Sequence, residues 1–189
     1  MLPVMVASAD QPAGKSEDRP VVKIGKALPD FSLPDQTGKP WKLSAQKGKK
    51  VVAVVLGSAN CFCGREALKD LQAVQDRYAQ RGLQVVHINI DAPQIALDPD
   101  YLKKFAAANK ITYPLLADKD LSVSSLSPAA PKPALFLVDK EGILRFMYFS
   151  RSEDYVKRVS DQVEKLLPPT GTNEEKQPAQ PQDAGANQG

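Results

Sequence analysis

The apolar run Val51 to Leu56 is the feature that most constrains how this chain can fold. Valine, alanine and leucine on successive positions leave no polar face for water. Such a strand belongs in the middle of a sheet with both faces covered. That requirement points to an α/β architecture, and the flanking segments supply the covering layers. Leu68, Leu71, Val74 and Tyr78 recur at helical spacing, and Gly82 ends that helix. Gln84 to Ile90 reads as the next strand, and Tyr101, Leu102 and Phe105 mark a second helix. Ala134 to Val138 and Ile143 to Phe149 read as two strands joined by a turn at Lys140-Glu141-Gly142. Ser150 with Glu153 has the form of a capping box, followed by a buried stripe of Val156, Val159, Val163 and Leu166. Upstream, Phe31, Leu33, Trp41 and Leu43 flank a Gly-containing turn and predict a short hairpin. The order is β-α-β-α-β-β-α behind an N-terminal hairpin extension.

Length and composition bound the rest. The 189 residues are enough for one domain with a sizeable core, expected over residues 21–167. Residues 1–20 read as a signal remnant and polar linker, and residues 168–189 as a disordered tail rich in Pro and Gln. Met1 to Ala9 is apolar and ends in Ala7-Ser8-Ala9, which fits the end of a secretory signal and implies an exported, periplasmic or extracytoplasmic protein. If that segment is not a signal, the chain is cytoplasmic. The net charge of +3 comes from 25 basic and 22 acidic residues, with no basic stripe among aromatics, which argues against a nucleic-acid partner. No stretch is long enough to span a membrane.

The chemistry is expected where the valine strand ends. The only two cysteines stand in Asn60-Cys61-Phe62-Cys63, just before a helical pattern that opens near Gly64. Two cysteines cannot build a disulfide scaffold. A helix N-terminus carries unpaired N–H groups and partial positive charge, which favour thiolate over thiol. Asparagine is a good N-cap, so Asn60 is expected to accept the N–H of Cys63, with Cys61 at the first helical position. Positions i and i+2 of a helix point to different sides. A Cys61–Cys63 disulfide would then distort the turn and be oxidising. Cys61 is expected to be the more exposed thiol. Of the remaining polar and aromatic residues, His87 reads as a hydrogen-bonded structural histidine, Trp41 as packing, and Lys49-Lys50 and Arg65 as solvated charges.

These motifs together resemble the thioredoxin-like superfamily, specifically its AhpC/TSA–TlpA (redoxin) branch. The resemblance runs over most of Ile24 to Leu167. It rests on Gly25 to Ser44, with Pro29-Asp30-Phe31, Asp35, Gly38 and Leu43-Ser44 in place. Gly48-Lys49-Lys50 before the valine strand also fits. Tyr113-Pro114-Leu115-Leu116-Ala117-Asp118 is peroxiredoxin-like, and Pro133-Ala134-Leu135-Phe136-Leu137-Val138-Asp139 is similar to the TlpA segment that opens with a cis-proline. The implied fold is thioredoxin-like α/β, a central mixed β-sheet flanked by helices. The resemblance makes Pro133 the residue that presents backbone to substrate, Lys132 a positive charge near the thiols, and Glu66 a group that tunes the thiols or shuttles protons. The active-site motif departs from both branches. TlpA-like proteins have Cys-x-x-Cys and peroxiredoxins Thr-x-x-Cys, so Cys63 matches the second cysteine while Asn60 takes the first position and Cys61 a variable one. The arginine that peroxiredoxins carry before the Phe136 strand is replaced by Pro133.

The leading functional expectation is a thiol–disulfide oxidoreductase of the TlpA/ResA kind acting through Cys61 and Cys63. Its substrate would be a protein or small-molecule disulfide, its partner an external thiol reductant, and it would need no organic cofactor. The alternative is an AhpC/TSA-type thiol peroxidase with Cys63 attacking peroxide. A Cu(I) carrier using two soft thiolates and a redox-inactive binding module are further readings. The Sco-type redoxins that carry copper use Cys-x-x-x-Cys and a later histidine, neither of which stands here.

Overall fold

The computed structural model describes residues 22–91, 99–118, 121–126, 132–149 and 151–169. The expected signal remnant and most of the expected Pro/Gln-rich tail lie outside these residues, as does Ser150. A two-stranded antiparallel sheet pairs β1 (Ser32–Pro34) with β2 (Pro40–Lys42). It is the predicted hairpin, closed by the Asp35 carboxylate, which accepts the N–H groups of Thr37 at 2.7 Å and Lys39 at 3.0 Å. The main sheet is built from β3 (Val51–Gly57), β4 (Leu83–Asn89), β5 (Leu115–Ala117), β6 (Ala134–Val138) and β7 (Leu144–Phe149), in the order β5-β4-β3-β6-β7. β3, β4 and β5 are parallel, and β6 and β7 are antiparallel additions. The sheet is therefore mixed, with the valine strand at its centre.

Every residue of β3 is buried. Val51, Ala53 and Val55 face one hydrophobic cluster and Val52, Val54 and Leu56 face another. Burying each large aliphatic side chain contributes about 1.5–3 kcal/mol, so this strand is a major source of stability. The first cluster is closed by α1 (Phe62–Tyr78) through Leu68, Leu71 and Val74, by α2 (Pro99–Ala108) through Leu102, and by α3 (Tyr155–Leu166) through Val159 and Val163. The second is closed by the N-terminal segment through Leu28, Phe31, Leu33 and Leu43. Trp41 stacks on Phe31 with ring centroids 5.7 Å apart, in line with its expected packing role. After α1 the chain makes one 3₁₀ turn and reverses at Gly82, whose φ of +105° is a glycine conformation.

Three expectations change. β5 is an edge strand of three residues that hydrophobic patterning does not resolve; it is held by Tyr113, whose hydroxyl donates to the Leu68 carbonyl at 2.7 Å. The last helix starts with Asp154 at its N-cap, later than a Ser150 capping box requires, and Asp154 makes no side-chain capping bond. His87 is structural but poorly hydrogen-bonded: it is 1% exposed and, among the described residues, neither ring nitrogen meets a partner in good hydrogen-bond geometry.

Burial holds His87 neutral, its pKa pushed down to about 3 while the Gly57 backbone pulls weakly the other way. Between pH 6.5 and 3 the unfolded chain binds a proton that the folded one does not, so stability falls as pH drops through that window. The full linkage is about 4–5 kcal/mol. In urea unfolding at pH 7 and pH 4.5, His87→Leu is expected to lose less stability on acidification than the parent protein. Equal losses would mean that His87 does not control the acid limb.

Candidate functional site

The site forms at the carboxyl end of β3, where the chain leaves the sheet at Gly57 and enters α1 at Phe62. Pro133 lies at the same end, because the next residue, Ala134, pairs with Leu56. The Lys132–Pro133 peptide bond is cis, as the resemblance implied. A β carbon on Gly57 would come within 3.2 Å of His87 Nε2 and 3.6 Å of Pro133 Cβ, so the absent side chain leaves room for both.

Cys61, not Asn60, is the N-cap of α1. Its backbone is extended (φ −87°, ψ 155°), and its sulfur accepts the Gly64 N–H at 3.2 Å. The expected cap is displaced by one residue because Ser58 already holds the preceding loop. The Ser58 hydroxyl accepts the N–H groups of Asn60 and Cys61, each at 3.0 Å. This shift overturns the expectation that the two sulfurs diverge. Outside the helix, Cys61 folds back over the first turn, and its sulfur lies 3.2 Å from that of Cys63. Both cysteines are free thiols and both are exposed. Phe62 between them is 73% exposed, an unusual setting for a large apolar side chain.

The two thiols are electrostatically unequal. Partial burial pushes the Cys61 thiol up, as does the Asp91 charge. Hydrogen bonds from Cys63, the Gly64 N–H and Ser58 outweigh them and hold it below the ordinary thiol range. Cys63 is pushed up, first by its hydrogen bond to Cys61, then by burial and by the Cys61 charge. The two sulfurs are within hydrogen-bond reach of each other, and of the two thiols Cys61 is the one whose surroundings favour ionisation.

Glu66 lies along α1 from the thiols, and its carboxylate pairs with Lys69 at 3.0 Å. Lys132 is partly buried, and burial pushes its ammonium down. Arg65 is exposed, as expected. Asn60 is exposed and contributes its N–H to Ser58. Cys61 and Cys63 are thus brought together with Ser58 and Gly64, groups that motif reading did not single out. A glycine in the first turn of a helix carries a propensity cost of about 1 kcal/mol and was a legible signal of close approach. For metal chemistry, the paired sulfurs are the soft ligands the site offers.

A five-stranded mixed sheet, a cis-proline and two thiols at a helix N-terminus define a thiol-based oxidoreductase of thioredoxin-like fold. The AhpC/TSA family matches residues 24–147, and the chain belongs to that family. It is 28% identical to the thiol-disulfide oxidoreductase ResA of Geobacillus kaustophilus, over 66% of this chain and 68% of that one. It is 27% identical to the thiol-disulfide oxidoreductase YkuV of Bacillus subtilis, over 73% of this chain and 95% of that one. Among solved structures, a candidate thiol:disulfide interchange protein DsbE from Chlorobium tepidum superposes with a TM-score of 0.67 at 26% identity, covering 77% of this chain and 98% of the other.

Gly64 is the residue the geometry tolerates least in changed form. A β carbon there would sit 1.8 Å from the Ser58 carbonyl oxygen and 3.1 Å from the Cys61 sulfur. Gly64→Ala is expected to push the Ser58–Cys61 loop off the helix. Stability should fall by about 1–3 kcal/mol in urea unfolding, and the Cys61 thiol should return toward ordinary reactivity in alkylation assays. Unchanged Cys61 alkylation in Gly64→Ala would show that the cap does not activate this sulfur.

Proposed function

We propose that this thiol–disulfide oxidoreductase of the ResA/TlpA kind works through an Asn-Cys-x-Cys motif in which Cys61 is the attacking thiolate and Cys63 the resolving thiol. The observation that carries the reading is the 3.2 Å contact between the two sulfurs, with the Cys61 thiol pushed below its ordinary range. The Cys61 thiolate attacks one sulfur of a substrate disulfide. A mixed disulfide forms, and the departing thiolate takes up a proton. Cys63 then gives up its proton and attacks the Cys61 sulfur. The Cys61–Cys63 bond forms, the mixed disulfide breaks, and the second substrate thiol leaves. Two electrons have passed from the protein dithiol to the substrate, and an external thiol returns them.

The surroundings support this division of labour. The cis-proline Pro133 stands at the same end of the sheet, where its backbone can pair with an extended substrate segment. Lys132 beside it adds positive charge that favours a departing thiolate. Asn60 is an exposed polar neighbour of the attacking sulfur. Glu66, one turn beyond Cys63 on α1 and paired with Lys69, is the carboxylate we assign to relaying protons for the thiols. The exposed Phe62 suits polypeptide disulfides flanked by apolar side chains.

Cys63→Ser is expected to accumulate a stable mixed disulfide on Cys61 when the protein meets a labelled polypeptide disulfide, read by mass spectrometry. Cys61→Ser should slow exchange at pH 7 by about tenfold or more, because it removes the thiol that the helix cap and its hydrogen bonds activate. Trapping on Cys63 instead would reverse the assignment. Rapid conversion of Cys63 to a sulfenic acid by hydrogen peroxide, with slow disulfide exchange, would make the protein a peroxidase.

A further inference from the structure

The polar residues buried beneath the cysteine loop have no place in the exchange chemistry described so far. His87, Asn89 and Asp91 alternate along β4 and just beyond it, all buried, in a segment that is otherwise apolar. Two of them reach the loop. The Asn89 side-chain oxygen accepts the Ala59 N–H at 3.2 Å, and the Ser58 hydroxyl donates to Asp91 Oδ1 in a short hydrogen bond. With the two N–H groups that Ser58 accepts, every backbone donor from Ala59 to Cys61 is held by a side chain.

We propose that Ser58 and Asp91 form a buried positioning pair, in which the Asp91 carboxylate acts through the Ser58 hydroxyl to hold the Cys61 loop in the conformation that brings the two sulfurs together. The pair deepens the oxidoreductase reading and rests on Cys61 being the attacking thiol.

Hydrogen-bond capacity sets the division of roles between Ser58 and Asp91. A hydroxyl has one proton and two lone pairs. A carboxylate oxygen accepts, so Asp91 receives the hydrogen bond that the Ser58 hydroxyl donates, which leaves both hydroxyl lone pairs for the N–H groups of Asn60 and Cys61. A neutral apolar neighbour would leave the hydroxyl free to rotate and donate elsewhere. The loop so fixed places the Ser58 carbonyl against Gly64 and starts α1 at Phe62. The carboxylate is 8% exposed, and its Oδ2 has no hydrogen-bond partner among the described residues. A half-satisfied buried acid is costly to the fold, and such groups concentrate where function needs them.

Asp91 also acts at a distance. Its charge opposes the Cys61 thiolate and pushes up the Tyr101 hydroxyl of α2, whereas Arg65 pulls Tyr101 down. Among the described residues, the titratable and charged groups around the loop are Cys63, Arg65 and Glu66 of α1, Tyr101 of α2, His87 of β4, Asp91 and Lys132. Asp91 therefore has two separable effects. Its oxygen orients Ser58, and its charge restrains the thiolate.

Two variants separate these effects. Asp91→Asn keeps an acceptor for Ser58 and removes the charge, so the pH midpoint for alkylation of Cys61 by iodoacetamide is expected to move to lower pH. Ser58→Ala removes the acceptor of both N–H groups. Amide exchange at Asn60 and Cys61 should then rise about tenfold or more, and the Cys61 midpoint should move up. Ser58→Thr, which retains the hydroxyl, should restore both. A purely structural role for Asp91 would lower stability and leave the midpoint where it was, and that result would overturn the proposal. So would fast exchange of the Asn60 and Cys61 amides in the unmutated protein, a measurement that needs no variant to fold. These readouts follow thiol ionisation and amide protection directly, so their failure is distinct from a failure of disulfide exchange.

Discussion

Strand β3 is the constraint on which the other elements depend. It is buried along its whole length, pairs with β4 on one side and β6 on the other, and divides the core into two clusters. A strand without a polar face can be stable only with layers above and below it. Helices α1, α2 and α3 supply one layer and the N-terminal segment the other. The same burial makes the end of β3 a rigid base for chemistry. Gly57, Ser58 and the cysteine loop continue from a strand whose position is set by both neighbours, and β6 brings the cis-proline to that end.

The local device at the site is a sulfur in place of an oxygen at the helix cap. A serine or asparagine cap would satisfy a first-turn N–H equally well. A cysteine there does this and also gains the stabilisation that a helix N-terminus gives to negative charge. The second sulfur, on the first turn, lies within hydrogen-bond reach of the first. Their surroundings make the two thiols unequal, Cys61 pushed down and Cys63 up. The arrangement also explains how a Cys-x-Cys spacing can work. Two helical positions so close in sequence face apart, whereas a cap residue and a helical residue can face each other.

Much of this was legible in the chain. The hairpin, the central strand, the first helix with its Gly82 stop and the antiparallel β6–β7 pair follow from periodicity and turn chemistry. The family resemblance carried the cis bond at Pro133. β5 was not legible, because three residues offer no alternation to read, and its place at the sheet edge depends on pairing with β4 and on the Tyr113 anchor. The roles of Ser58 and Asp91 were not legible either, and Gly64 signalled only a close approach without saying to what. All three roles arise from contacts between the end of β3, the first turn of α1 and the segment after β4, positions far apart in sequence for Asp91 and ambiguous in local pattern for the other two.

The sequence by itself determined which residues carry the chemistry. It holds only two cysteines, and they stand between an obligatorily buried strand and an amphipathic helix. That position points to thiol chemistry, while the residues alone left disulfide exchange, peroxide reduction and Cu(I) carriage open. Only the tertiary structure decided which residue caps the helix, and with it the direction of the Cys61 side chain and the sharing of charge between the sulfurs. The physical reason is that a cap is chosen by competition among nearby hydrogen-bond partners. Here the winning partner, Ser58, is held by a carboxylate that reaches the loop through the folding of the sheet.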